Sequence, residues 1–218
     1  MAGIGAWEAL PSQELLVIAI PHVGIVSFDW AVSFKVLQPS VPYNIISNRG
    51  LPIDRARDDL VLQAKALGAT KLFFLDSDVK VPPDGLARLW NWHLPIVCGV
   101  YGSKHESPGV WVQTAPEGDN RYSPVNPQIL EQYPLFHHPQ LVVGAGCMLI
   151  DLKIFDRIEK PWFEWTQGRK PGGVSEDFYF CEKVRAAGIP IHIDNTVRCD
   201  HIDWSQLNWK GERSRLQV

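Results

Sequence analysis

Leu15 to Ile20 is an unbroken apolar run closed by Pro21, the pattern of a strand buried on both faces. It predicts the first parallel strand. Ile53, Ala56, Leu60, Ala64 and Leu67 recur at helical spacing, which predicts a helix from Asp54 that Gly68 is placed to end in a left-handed cap. Lys71-Leu-Phe-Phe-Leu75 predicts a second buried strand, and Asp76-Ser-Asp78 follows at its carboxyl end. Pro82-Pro83 then opens a helix with Leu86, Leu89 and Trp90 on its apolar side, and Ile96 to Tyr101 predicts a third strand. This alternation predicts an α/β sheet, in which ligands bind beyond the carboxyl ends of the strands.

Residues 102–140 break the rhythm. Prolines at 108, 116, 124, 127, 134 and 139 prevent long regular elements, so the segment is expected to be a loop-rich insert. Trp111, Tyr122, Tyr133 and Phe136 give it apolar surface to fold back onto a site, which makes it a candidate acceptor-facing loop. Leu141 to Ile150 is expected to be one strand interrupted at Gly144 and Gly146, where a ligand or another backbone can approach closely. Asp151 can cap a helix carrying Ile154, Phe155 and Ile158. Ser175 can cap another, with Glu176 and Asp177 in its first turn, Cys181 and Val184 on its apolar side, and Gly188 at its end.

A chain of 218 residues is expected to form a single domain over 1–218, and a net charge of -3 supplies no general attraction to nucleic acid or anionic lipid. The four cysteines form no C-x-x-C pair, which favours a reducing compartment. The first apolar run is too short to span a membrane and follows no basic region, so a soluble, cytoplasmic protein without a transmembrane segment is expected. Most of the nine tryptophans are expected in the core, although aromatic faces also suit sugar rings.

Two carboxylates spaced i, i+2 after a buried strand can both turn into the crevice, where oxygen ligands suit Mg²⁺ or Mn²⁺ and the ion can bridge a diphosphate. Asp76 and Asp78 fit that description, and they fit an ordinary polar turn equally well. Glu176 and Asp177 likewise satisfy the preference of a helix start for acids.

The order of these motifs resembles the glycosyltransferase A-type (GT-A) fold, particularly inverting family 2 enzymes and small phage-encoded relatives, over Leu15 to His201. Asn48 to Arg57 is similar to the family's Ala-Arg-Asn helix start, with Asp58 where Asn is usual. Phe73 to Asp78 resembles the DxD segment, Val143 to Ile150 the acceptor-side glycine strand, Glu176-Asp177 the catalytic acidic motif, and Cys199-Asp-His201 the histidine-bearing end. The resemblance implies a Rossmann-like, mainly parallel sheet with flanking helices and a metal-dependent glycosyltransferase, of a kind that viruses also encode. Asp76, Asp78 and His201 would hold Mn²⁺ or Mg²⁺. A nucleotide-diphosphate sugar donor would lie on Pro21, His22, Arg57, Asp76, Ser77 and Asp78, with Arg57 on the diphosphate. Gly144, Ala145, Gly146 and Trp111 would face a hydroxyl acceptor on a glycan, protein, lipid or modified nucleic acid. Asp177, beside Glu176, would be the general base of an inverting transfer.

Two other readings fit part of the sequence. Asp-Ser-Asp-Val also resembles the nucleophile motif of haloacid dehalogenase-type phosphatases, with Asp76 attacking phosphorus, and a non-catalytic nucleotide-sugar-binding module would use the same scaffold. A nucleotidyltransferase is disfavoured because Pro21-His-Val-Gly24 is no glycine-rich basic loop. Lys80 at the fifth position excludes an EF-hand.

Overall fold

The run after Leu15 becomes β1 (Leu16–His22) in the computed structural model, which describes residues 14–104, 109–114, 122–166, 173–203, 206, 207, 210, 213 and 214. Next come α1 (Phe28–Lys35) and β2 (Tyr43–Arg49), neither of which the hydrophobic pattern announces. Both lie at the surface. Only Trp30 of α1 is buried, and the helix starts because Ser27 accepts a hydrogen bond from Trp30 N at 3.1 Å. β2 is the edge strand of the sheet and leaves Ile45 half exposed, so no continuous apolar run marks it. The Asp-Ser-Asp turn therefore follows the third strand in chain order.

The later elements are α2 (Ile53–Ala66), β3 (Lys71–Leu75), β4 (Val79–Lys80), α3 (Gly85–Asn91), β5 (Ile96–Tyr101), β6 (Val112–Thr114), β7 (Ser123–Pro124) and α4 (Pro127–Leu130). They continue with β8 (Leu135–His137), β9 (Leu141–Val143), β10 (Cys147–Asp151), α5 (Glu176–Ala186), β11 (His192–His201), β12 (Gln206–Leu207) and β13 (Arg213–Ser214). The main sheet has the order β13-β12-β11-β5-β10-β3-β1-β2, with β4 and β8 also paired to β11. β2, β1, β3, β5 and β11 run in one direction and β10 runs against them. This is the expected mixed, mainly parallel, Rossmann-like α/β architecture in one domain.

Alternation along the strands divides the core into two layers. Val17, Ala19, Leu72, Phe74, Cys98, Val100, Met148 and Ile150 face α2 and α5, whereas Leu16, Ile18, Phe73, Leu75, Val97, Cys147 and Leu149 face α1 and α3. Both sheet faces are covered, which is why the strands read as continuous apolar runs. All four cysteines are buried and unpaired. No helix among the described residues is long and apolar enough to cross a membrane.

Three local expectations are corrected. Leu141 to Ile150 is two strands: β9 pairs with β6 in a separate small sheet that also holds β7, while β10 joins the main sheet. Gly144-Ala-Gly146 carries the chain from one to the other. Asp151 does accept from Lys153 N at 3.0 Å, but it caps a 3₁₀ turn, Leu152–Asp156. Ser175 precedes α5 without capping it, because its hydroxyl donates to Asp177 Oδ1. The described part of 102–140 holds only short elements, as the prolines require, yet β6 and β8 are paired into sheets and Tyr122 donates to Glu182 at 2.6 Å.

The core packing gives the first prediction. Leu60 on α2 is fully buried against the sheet. Leu60→Ala is expected to lower unfolding free energy by about 2–5 kcal/mol, read as a reduced urea midpoint with an unchanged slope.

Candidate active site

The carboxyl ends of β3, β5 and β11 meet the amino ends of α2 and α5 around a cavity of about 330 Å³. Its wall takes Asp76 and Asp78 from the turn after β3, Tyr101, Ser103 and Lys104 from the end of β5, and His201 from the end of β11. Helix α2 contributes Ile53 and Arg57, and α5 contributes Glu176 and Asp177, with Trp111 opposite. A recess of about 190 Å³ adjoins it, sharing Ile53, Asp76 and Asp78 and adding Pro21, His22, Val23, Leu51 and Ser77. Thus the residues expected on the donor and the metal come together from elements remote in sequence, as in the Arg57 to Glu176 hydrogen bond across 119 positions.

The Asp76 to Asp78 turn is clamped on three sides. Trp30 Nε1 donates to Asp76 O at 2.9 Å, Asp76 N donates to Gly146 O at 3.0 Å, and Ile202 N donates to Asp78 O at 2.7 Å. Helix α1, absent from the sequence expectation, is therefore a support of the site.

Arg57 is 2% exposed. Its Nη2 donates to Asp76 Oδ1 and Oδ2 at 3.0 and 3.1 Å, and its Nε donates to Glu176 Oε1 at 3.1 Å. Burial alone lowers an arginine pKa, but Asp76, Glu176 and Asp177 outweigh it and raise this one, so the charge persists. Nε and Nη2 are thus engaged by carboxylates. Among the described residues only Nη1 of this guanidinium lacks a hydrogen-bond partner.

Burial raises the pKa of Asp76, Glu176 and Asp177 above ordinary carboxylate values. Asp177 Oδ2 accepts from Trp111 Nε1 at 3.0 Å, while Oδ1 accepts from the Ser175 hydroxyl and from Phe178 N at 2.8 Å. These donors fix the carboxylate's orientation. Trp111 is itself stacked on Phe178 with ring centroids 5.4 Å apart.

Asp78 differs from its neighbours. Partial burial pushes it up, but His201 and then Lys104 pull it down to about 2. Lys104 Nζ donates to Asp78 Oδ2 at 2.5 Å, and His201 Nε2 lies 3.6 Å from Asp78 Oδ1. His201 Nδ1 is 2.7 Å from the Gly102 carbonyl, an oxygen that only accepts, so Nδ1 carries a proton and Nε2 is the nitrogen turned toward Asp78. A backbone carbonyl orienting the far nitrogen is the usual support of a metal-binding histidine. The 3.6 Å gap suits two donors each about 2.1 Å from one divalent ion. Asp76 shares the cavity with that pair, and both of its carboxylate oxygens accept from Arg57. No three His, Cys, Asp or Glu side chains among the described residues form a ready metal cluster. The cavity's four carboxylates face Arg57 and Lys104, which leaves two negative charges in excess when His201 is neutral.

Several residues stand elsewhere than expected. Gly144, Ala145 and Gly146 are buried behind the cavity wall instead of on it. A Cβ on Gly144 would lie 1.9 Å from both the Trp111 ring and the Tyr101 hydroxyl, so this glycine makes room for those side chains. Asp58 leaves the site altogether, accepting from Trp162 N and Phe163 N at 3.1 and 3.0 Å. Tyr101, Ser103 and Lys104 went unnoticed in the sequence, although the end of a predicted parallel strand was signal enough to select them.

Fold and site together define a Rossmann-like α/β protein with an acidic cleft at its strand ends. No protein-family model matches the chain, and no curated protein matches it in sequence. Among solved structures it is similar to the crystal structure of A197 from STIV, with 17% identity, 93% of this chain and 94% of that chain covered, and a TM-score of 0.59. That likeness shows a shared fold. The crystal structure of apo-UDP-glucose pyrophosphorylase also matches, with 9% identity, 84% and 73% coverage and a TM-score of 0.39, a value too low to bear on function.

Removing Arg57 leaves Asp76 and Glu176 as unbalanced buried charges. Arg57→Met is expected to cost about 3–5 kcal/mol in chemical denaturation at neutral pH. The loss should shrink as pH falls, because protonating carboxylates whose pKa is raised removes the repulsion.

Proposed function

We propose that this chain is a glycosyltransferase of the GT-A type, which moves a sugar from a nucleotide-diphosphate donor to an acceptor hydroxyl with a divalent ion at Asp78 and His201. The observation that carries the reading is one cavity, at the strand ends of a Rossmann-like sheet, holding Asp76, Asp78, Glu176, Asp177 and His201. The nucleoside lies in the recess on Pro21, His22 and Ser77, and the acceptor approaches between Trp111 and Asp177. The two excess negative charges of the cavity fit Mn²⁺ or Mg²⁺, which when bound neutralises charge on the leaving diphosphate. Four buried, unpaired cysteines support a reducing, cytoplasmic setting.

Asp177 acts as the base. Its oriented carboxylate takes the proton of the acceptor hydroxyl as that oxygen bonds to the anomeric carbon and the bond to diphosphate breaks, which inverts the centre. Trp111 and Ser175 hold the carboxylate, and Glu176 keeps Arg57 in place behind it. The phosphatase reading is disfavoured because both oxygens of Asp76 accept from Arg57 and are poorly placed to attack phosphorus. A purely binding module leaves the orientation of Asp177 without a use.

Two predictions follow from this assignment. A thermal-shift panel of UDP-, GDP- and dTDP-sugars with and without Mn²⁺ is expected to give one donor that stabilises only with the ion, and chelation should abolish turnover. Full turnover in chelator, or steady hydrolysis of p-nitrophenyl phosphate, would overturn the reading. Asp177→Asn should bind donor normally yet lose roughly 10²–10⁴-fold in kcat. Because burial raises the Asp177 pKa and the base works deprotonated, the acid limb of kcat/KM should lie above the ordinary aspartate value of 3.8 and disappear in the variant.

A further inference from the structure

Lys104 stands three residues beyond the end of β5, on a stretch held to the fold by the Gly102 to Val110 bridge and by Ser103 N donating to Gly109 O at 2.8 Å. Its ammonium contacts Asp78 Oδ2 at 2.5 Å, and the two side chains are 35% and 40% exposed. The other carboxylate oxygen faces His201 Nε2. A monovalent cation of the chain itself therefore already engages the carboxylate on which a divalent ion at Asp78 and His201 depends.

We propose that Lys104 is an internal counter-ion that competes with the divalent ion for Asp78 and so sets the metal affinity of the site. The inference rests on the reading of Asp78 and His201 as the ion's ligands. An ammonium left on the same carboxylate repels an incoming divalent ion at close range in a partly enclosed cleft, where such interactions are weakly screened. Lysine is suited to yield, because its ammonium rides on a flexible four-carbon stem and makes a point contact instead of a two-pronged one. In the absence of the ion the ammonium holds the Asp78 carboxylate in place. Arg57 differs in kind: it is buried, bonded to two carboxylates and unable to leave. The cavity thus pairs one fixed cation with one displaceable cation.

Isothermal titration calorimetry of the full chain with Mn²⁺ alone, at fixed pH and ionic strength and without donor, tests this. Lys104→Met, with its fold checked by circular dichroism, is expected to bind Mn²⁺ roughly tenfold more tightly than the parent. Lys104→Arg retains the charge and should stay within about threefold of the parent. Adding Asp78→Asn to Lys104→Met should erase the gain, which ties it to that carboxylate. Equal or weaker binding by Lys104→Met, with binding still dependent on Asp78, overturns the role of Lys104 and leaves the metal site standing. A gain that survives Asp78→Asn also overturns it. No saturable binding by parent or variants overturns the counter-ion and the metal reading together.

Discussion

The guanidinium of Arg57 is buried where the end of β3, the first turn of α5 and the body of α2 converge, and it donates to a carboxylate from each of the first two. None of these three charges tolerates burial alone. The arginine lowers the cost of crowding Asp76, Glu176 and Asp177 together, and those carboxylates in turn keep it charged. The cluster ties the turn after β3 to the start of α5. Asp76 fixes the turn that carries Asp78, and Glu176 fixes the helix start that carries Asp177.

The same cluster fixes the electrostatics of the cleft. Burial raises the pKa of all three carboxylates, and the one arginine among them does not offset it. Asp78 lies at the open side, where His201 and Lys104 draw its pKa down to about 2. A gradient therefore runs from protected, reluctantly ionised acids at the back to a fully ionised acid at the mouth. A cationic ligand would meet the fully ionised group first, while Asp177 stays desolvated.

Close approach of backbone and aromatic rings completes the site. The Tyr101 hydroxyl accepts from Gly146 N at 3.0 Å, and its ring stands edge-on to His201 with centroids 5.2 Å apart. No side chain larger than hydrogen fits at Gly144 beside Tyr101 and Trp111. Trp111 is thereby pressed onto Phe178 and brought to Asp177, so a residue of the proline-rich segment becomes a fixed part of the wall.

The sequence by itself determined the elements buried on both faces: β1, β3, β5, α2 and α3 are legible because continuous or helical apolar spacing has no other use in a chain this size. It also determined that the acids lie at strand and helix ends, where backbone geometry exposes them. It did not determine α1 or the edge strand β2, whose stability comes from neighbours and not from their own pattern. Partnership was also beyond it. Spacing cannot tell that Arg57 would bond to Asp76 and Glu176, that Asp58 would cap a distant loop, or that Lys104 would reach Asp78. Those choices follow from distances between elements remote in sequence, and only the packing of α2 and α5 against one sheet fixes such distances.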